Sequence, residues 1–279
     1  MPEIVAEPEE KKEEHRQMGS MSLLQHLEEL RKRLIYSLAA VAVGACVGWW
    51  FAQDKIYPLM AKPLIDVYKK YGITTQNGLP QLSFLNPLTP FNTYLKVGLV
   101  AGIFLACPVV LYQIWMFISP GLYRREKRFI LPFLFLSVGL FLSGGYFGYR
   151  VVFPIAMDFL IGTYGKGLAA NVTIDEYTKV FLTMILGLAI IFELPIVIGF
   201  AAMMGVVNAK FLIKHIRGAV LGFFIIAAVL SPTTDILNMM IYAAPMIFLY
   251  ILSIGIAWLV HPKQRRKRAE KREAGPDRE

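Results

Sequence analysis

One acidic residue lies in the middle of an apolar stretch. Glu193 stands within the segment 190–195 (IIFELP), and no other charged residue occurs within ten positions on either side. A charge at bilayer depth costs about 2.5–3.5 kcal/mol, so acids at such positions usually have a function. The carboxyl could transfer a proton, contact a substrate or bind a polar group on a partner's helix. The alternative is a packing role, with a neutral carboxyl hydrogen-bonded to a neighbouring span.

Two further acids, Glu29 and Glu126, lie among basic residues just outside apolar segments. Glu29 precedes Arg33 by four residues, the spacing of a helix-surface ion pair that contributes a few tenths of a kcal/mol. Glu126 lies within the basic segment 124–128 (RREKR). From the residues alone, both carboxylates are interpreted as balancing their basic neighbours.

The sequence carries no enzyme or metal-site motif. The histidines show no HExxH or other metal-ligand spacing, and they are His15, His26, His215 and His261. No GxSxG elbow and no Walker or dinucleotide-binding glycine loop occurs. We therefore predict no catalytic residue, no metal site and no cofactor, and a protein that is not an enzyme.

The composition predicts an integral membrane protein. Of the 279 residues, 56% are hydrophobic and only 18% are charged, whereas a soluble domain carries more charge. The apolar runs reach roughly 20 residues, the length at which a helix crosses about 30 Å of hydrocarbon. Helices are expected because lipid offers the backbone no hydrogen-bond partner. The net charge of +9 comes from basic residues at the ends of these runs, which is typical of membrane topology rather than nucleic-acid binding.

We predict an all-α fold with six spans, at residues 34–52, 93–118, 129–152, 180–204, 218–230 and 239–260. The fifth span is short, and only eight residues separate it from the sixth. These two spans are therefore predicted to form a tight hairpin that stops short of one surface. A re-entrant pair is the alternative. Residues 21–262 form the membrane domain, 1–20 are predicted to be a disordered extension, and 263–279 form a basic cytoplasmic tail.

Lysine and arginine predict the orientation of the spans. Of the 29 basic residues, 21 fall in the segments 1–33, 119–128, 205–217 and 261–279. Six fall in 53–92, 153–179 and 231–238, which have the same total length. The excess of basic residues marks the cytoplasmic side, so both termini are predicted to be cytoplasmic.

Shorter helices are predicted outside the spans. Residues 22–34 are expected to form an amphipathic helix that lies on the cytoplasmic surface and runs into the first span. In the outer loops, 56–71 and 154–164 are expected to form surface helices, the former interrupted by Pro63, and prolines and glycines between 78 and 90 predict an extended link.

Glycines and prolines within the spans predict how the helices pack. Small residues at GxxxG spacing let helix backbones approach closely, and we interpret four such pairs as packing within the bundle rather than as a dimerisation face: Gly44/Gly48, Gly98/Gly102, Gly144/Gly148 and Gly218/Gly222. Pro108, Pro195 and Pro245 each remove a backbone hydrogen bond and are expected to kink a span. Kinked helices favour a concave bundle.

Four segments in register carry a specific resemblance. They are 26–34 (HLEELRKRL), 108–128 (PVVLYQ through SPGLY to EKR), 192–195 (FELP) and 231–235 (SPTTD). Over residues 21–262 the chain resembles the TatC family, the signal-receptor subunit of twin-arginine protein translocation. The resemblance implies a multi-pass protein of a bacterial or archaeal plasma membrane that exports folded proteins by means of the proton gradient.

The resemblance also assigns roles to residues. It implies that Glu29 and Glu126 receive the paired arginines of a signal peptide and that Arg31 shapes this site. A guanidinium binds a carboxylate through two parallel hydrogen bonds, which an ammonium cannot reproduce. Glu193 is the expected membrane-embedded contact, and Pro63 and Asp235 are weaker outer-loop candidates. In the last segment relatives often carry a second proline, which this chain lacks.

The resemblance implies partners as well: twin-arginine signal peptides, the single-span subunits TatA and TatB, and further copies of this chain. Nucleic acid is not expected as a partner. The competing hypothesis is a proton-coupled secondary transporter with Glu193 as the relay. A transporter would show an inverted repeat and a polar site at mid-membrane, and no such repeat is visible in the sequence.

The orientation leads to a labelling prediction. In a chain without Cys46 and Cys107, cysteines introduced at His15 and Glu270 should react with an impermeant maleimide only from the cytoplasmic side, because the basic segments around both positions remain there. Labelling of either position from the outside would contradict the six-span topology.

Overall fold

The computed structural model describes residues 23–73, 82–118, 130–164, 172–231 and 236–260. Its described residues form ten α-helices: α1 (Leu23–Phe51), α2 (Tyr57–Lys70), α3 (Thr89–Ile118), α4 (Ile130–Phe147), α5 (Phe153–Phe159), α6 (Ile174–Ile191), α7 (Leu194–Met203), α8 (Ala209–Lys214), α9 (Ile216–Leu230) and α10 (Ile236–Val260). Three π-helical segments, Ala52–Ile56, Gly148–Val152 and Leu160–Tyr164, follow α1, α4 and α5. The predicted helical membrane fold is confirmed.

The six predicted spans correspond to α1, α3, α4 with its π-helical end, α6 continued by α7, α9, and α10. Among the described residues, five helical stretches are long and apolar enough to cross a membrane, and α9 is a shorter apolar helix. The 15 residues of α9 span only about 22 Å at the rise of an α-helix, less than the roughly 30 Å of a hydrocarbon core. The prediction of a short fifth span is thus confirmed.

The position of α9 favours a crossing over a re-entrant loop. Leu230 and Ser231, at its end, line one cavity with Lys179 near the start of α6. The other end follows α8, where the Tyr250 hydroxyl of α10 donates to the carbonyl of Leu212 at 2.9 Å. The two ends of α9 therefore lie at opposite ends of the bundle, as expected for a helix that crosses it.

The predicted surface helix over 22–34 is not a separate element. α1 runs without interruption from Leu23 to Phe51, because the 30 residues of α3 lie beside it and offer packing partners along its length. The polar side chains of this segment contact the end of α3, where the ring of His26 stacks on Phe117 at 4.5 Å. Leu27, Leu30 and Leu34 on its apolar face are exposed. The helix predicted at 22–34 is therefore present and runs into the first span, whereas its position on the membrane surface stays a prediction.

Two GxxxG pairs face each other where α1 crosses α3. A Cβ added to Gly44 would lie 2.6 Å from the carbonyl oxygen of Gly102, and one added to Gly48 would lie 2.5 Å from that of Gly98. A Cβ on Gly102 would lie 2.3 Å from the backbone nitrogen of Ala45. The helix backbones are thus in direct contact, and these glycines pack within the bundle as predicted.

The other two GxxxG pairs differ in what lies next to them. Gly144 on α4 and Gly148 in the π-helical segment after it face the end of α6, where added Cβ atoms would meet Phe192, just after α6, at 2.7 Å and Leu188 at 3.1 Å. For Gly218 and Gly222 on α9, no described atom lies within 4 Å of an added Cβ. The prediction of internal packing is therefore confirmed for three pairs, and the described contacts do not support it for the fourth.

The surface helices α2 and α5 cover one end of the bundle. Helices are thus present in both of these predicted loop segments, and α2 continues through Pro63 instead of being interrupted by it. The Tyr177 hydroxyl of α6 donates to the carbonyl of Met60 on α2 at 2.6 Å in the buried core. Lys70 on α2 bonds to Asp158 on α5 at 2.8 Å. The predicted link between α2 and α3 is extended at Ser83, whose backbone pairs with the segment before α6.

Prolines act differently in the three spans that contain them. The fourth span breaks between α6 and α7, directly before Pro195, whereas α3 and α10 continue as helices through Pro108 and Pro245. An apolar cavity of about 580 Å³ opens among α1, α3, α4 and α6, which gives the bundle a concave side.

The glycine crossing leads to a stability prediction. Gly102→Ala should lower the free energy of unfolding by about 1–3 kcal/mol, because the new methyl group overlaps the backbone of α1. Gly139→Ala on α4 is the matched control, since no described atom lies within 4 Å of its added Cβ. Unfolding midpoints in detergent compare the two, and equal midpoints would contradict the proposed role of the crossing.

Candidate functional site

Glu29 lies on α1 at the end of the bundle away from α2 and α5. Its neighbour Arg33 donates from Nε to Oε1 of Glu29 at 2.9 Å, and its Nη2 contacts the same oxygen. The Nη1 of Arg33 also contacts Oε1 of Gln113 on α3 at 3.4 Å. Arg33 thus connects the carboxylate of Glu29 to a second helix, which an isolated surface pair would not do.

The second carboxylate oxygen of Glu29 is free to bind another donor. Its Oε2 is buried and has no hydrogen-bond partner among the described residues. The side chain keeps 20% of its exposure, against 67% for the neighbouring Glu28, which pairs with Lys32 on the outer surface. A half-buried carboxylate held in one orientation loses little side-chain entropy on binding a guanidinium. Glu29 therefore has the features of a prepared anionic site.

The other residues implied for this site have different positions. Arg31 lies two residues after Glu29, which places it on the opposite side of α1, and it is exposed. Glu126 lies outside the described residues. The structure therefore does not bring Arg31 to the carboxylate of Glu29, and the pairing of Glu29 with Glu126 stays a prediction.

Two contacts of this site were not found from the sequence. Gln113 holds Arg33, and Phe117 stacks on His26. Both lie toward the end of α3; Gln113 is 80 positions along the chain from Arg33, and Phe117 is farther still from His26. No periodicity reports such a contact, although both residues fall in or beside the segment that carries the family resemblance.

Glu193 lies at the break in the fourth span. The backbone turns there, with the amide of Glu193 donating to the carbonyl of Ile190 at 3.0 Å. The side chain accepts a hydrogen bond from the hydroxyl of Ser137 on α4 at 2.5 Å. Its Oε1 is buried without a partner in the part of the chain that the structure describes. The carboxyl is thus anchored through one oxygen and leaves the other for a second polar group.

Ser137 is the residue that sequence reasoning missed at this position. It is buried with 1% exposure, and a single serine in an apolar segment gives no signal of its partner. The hydrogen bond agrees with both interpretations of Glu193, because a packing residue also needs a bonded neighbour. The unpartnered Oε1 of Glu193 is the observation that favours a contact with a further polar group.

The outer-loop candidates are not assembled into a site. Pro63 is buried within α2, and Asp235 lies outside the described residues. Among those residues, no group of three or more histidine, cysteine, aspartate or glutamate side chains could hold a metal ion. Cys46 and Cys107 lie within the described spans and are free thiols.

Comparisons with known proteins agree with this architecture. The family model of TatC, the Sec-independent protein translocase protein, matches residues 25–245. This chain belongs to the TatC family. A TatC protein of Koribacter versatilis is 52% identical over 258 residues, covering 92% of both chains. One of Desulforapulum autotrophicum is 40% identical over 230 residues, covering 82% of both chains.

A solved structure extends the comparison to the fold. A crystal structure of the twin-arginine translocase receptor TatC superposes with a TM-score of 0.74 at 32% identity, covering 84% of this chain and 99% of the other. The family assignment favours the translocase hypothesis over a secondary transporter. The chain is a multi-pass membrane protein of the Sec-independent protein translocase.

Proposed function

We propose that this protein is the receptor that binds twin-arginine signal peptides for export of folded proteins driven by the proton gradient. The observation that supports the proposal concerns the carboxylate of Glu29. Arg33 holds its Oε1, while its Oε2 has no hydrogen-bond partner among the described residues. A guanidinium of the peptide would donate to that oxygen. Glu126 would receive the second arginine, and Arg31 would contact the peptide from the exposed side of α1.

The site lies at the membrane boundary, where a signal peptide arrives. Glu29 precedes the apolar part of α1, and the end of α3 beside it leads into the basic segment 124–128. Basic residues concentrate on this side, which supports a cytoplasmic location for the site and both termini. A bacterial or archaeal plasma membrane is the corresponding location.

Glu193 is proposed to contact a single-span partner of the TatA or TatB type. A helix that enters the bilayer needs a partner for any polar group it carries. The free Oε1 of Glu193 offers one, while Ser137 holds the side chain in place. Several copies of this chain are expected in one complex, and Pro63 and Asp235 remain candidate contacts on the opposite side.

The arginine site leads to a binding prediction. Glu29→Gln and Glu126→Gln should each weaken binding of a twin-arginine peptide by about 2 kcal/mol, roughly thirtyfold in Kd, because an amide cannot replace the carboxylate charge. Glu28→Gln is the matched control, since Glu28 is exposed and pairs with Lys32. Fluorescence anisotropy with twin-arginine and twin-lysine peptides measures the loss. Equal binding by the Glu28 and Glu29 variants, or by the two peptides, would disprove the assignment.

The membrane-embedded site leads to a second prediction. Glu193→Gln should keep partner recruitment, because its amide can both accept from Ser137 and donate to a partner. Glu193→Ala should lose recruitment and export while peptide binding survives. Ser137→Ala should weaken recruitment, and Ser143→Ala is its control because that hydroxyl bonds to its own helix at Leu140.

Site-specific crosslinking of the partner and an export assay measure these variants. A proton relay predicts the opposite pattern for Glu193→Gln, since an amide cannot carry the proton and export would stop with recruitment intact. Normal recruitment and export by Glu193→Ala would show that Glu193 only packs.

A further inference from the structure

Two cavities meet on the side of the bundle that α2 and α5 cover. The first is the apolar cavity of about 580 Å³ among α1, α3, α4 and α6, whose walls include Val97, Phe104, Leu142 and Ile185. Its volume falls in the range of about 300–1,000 Å³ found for small-molecule sites. It contains almost no polar surface, so its occupant must be a hydrocarbon group.

The second cavity holds charge. It measures about 340 Å³, lies between α2, α5 and the end of α4, and is lined by five charged side chains: Lys62, Asp66, Lys70, Arg150 and Asp158. Lys70 and Asp158 bond to each other at 2.8 and 2.9 Å, so their charges offset. Among the described residues, Lys62, Asp66 and Arg150 form no ion pair. Two cations and one carboxylate therefore remain for a ligand.

Tyr149 is a wall of both cavities. Its hydroxyl donates to the carbonyl of Leu59 on α2 at 3.0 Å, and its ring packs edge-on against Phe181 at 6.1 Å. Because both its hydroxyl and its ring are held, Tyr149 fixes the position of one cavity relative to the other. A ligand that passes this ring would place one part among apolar side chains and the other among charges.

The junction lies at the depth of a membrane–water boundary. Tyr146, which lines the apolar cavity, is exposed, as are Trp49 and Trp50 beside the lining residue Gly48 on α1. Such aromatic side chains concentrate at the level of lipid headgroups. Lys62 and Arg150 lie on the side of this level away from the apolar cavity, where long basic side chains reach out of hydrocarbon.

We propose that the two cavities form one phospholipid-binding site, with an acyl chain in the apolar cavity and the phosphate on Arg150 and Lys62. Guanidinium and ammonium groups both bind phosphate oxygens through charge-assisted hydrogen bonds. Asp66 then faces the headgroup and favours an ethanolamine ammonium over an uncharged glycerol. A lipid fits where a partner helix does not, because the charged part is an open pocket between α2 and α5 rather than a groove along a span.

Native mass spectrometry of the purified full chain with added dioleoylphosphatidylethanolamine tests the headgroup. The double variant Lys62→Gln/Arg150→Gln should bind this lipid about tenfold more weakly or worse, because charge-assisted contacts to the phosphate are lost. The double variant Lys55→Gln/Lys69→Gln removes the same charge from exposed positions outside both cavities and should bind like the wild type. Asp66→Asn should reduce the preference for phosphatidylethanolamine over phosphatidylglycerol.

A second pair of variants tests the acyl chain. Leu142→Trp fills the apolar cavity and should also lose lipid, whereas Leu136→Trp on the same helix, exposed and outside the cavity, should keep it. Unfolding midpoints confirm that each variant is folded. Dioleoylglycerol and inorganic phosphate should both bind more weakly than the phospholipid, since each lacks one half of the ligand.

Three outcomes would overturn the proposal. One is equal lipid binding by the variant Lys62→Gln/Arg150→Gln and its control Lys55→Gln/Lys69→Gln. Another is inorganic phosphate binding as tightly as the lipid with no effect of Leu142→Trp, which would indicate an anion site. The last is a dimer of this chain that forms in place of the lipid complex and is lost only with Leu142→Trp.

Discussion

The direct contact between the backbones of α1 and α3 determines where the polar residues of α1 lie. Lipid surrounds both helices, so apolar side chains gain little by leaving it for each other, and association relies on close packing. The four glycines bring the helices close enough for that. Because α1 packs mainly against α3, this crossing places Glu29 and Arg33 beside Gln113. A wider crossing would leave Glu29 as an ordinary surface carboxylate.

The break in the fourth span is the second constraint, and it has a backbone origin. Pro195 has no amide hydrogen, so the carbonyl of Ile191 cannot receive its usual helical hydrogen bond. The chain turns at Phe192 and Glu193 before α7 begins. The turn places a carboxyl at a depth where every polar group needs a partner. Ser137 supplies one bond, and the remaining oxygen makes the position suitable for recognition.

The two ends of the bundle differ in how much of their surface is covered. At one end, Met60 of α2 and Phe153 of α5 pack into the main core beside Tyr177 of α6, and the charged cavity lies between α2 and α5. At the other end, the partly exposed side chain of Glu29 lies beside the end of α3. A rigid covered end and an accessible end suit a protein that receives a peptide on one side and keeps its helices aligned from the other.

The sequence by itself determined the class of fold, the six spans, the short fifth helix and the outer surface helices, because each follows from local hydrophobicity and length. It also singled out Glu193, since an acid among apolar residues is visible in any window. Only the tertiary structure decided which GxxxG pairs face another helix and that α1 continues past the predicted surface helix. It also decided that Gln113 holds Arg33, the partner of Glu29, and that Ser137 holds Glu193. These contacts join residues 80 and 56 positions apart, and no local pattern reports a partner at that separation. The two cavities that share Tyr149 are built from six helices at once, so no local pattern in the sequence indicates them.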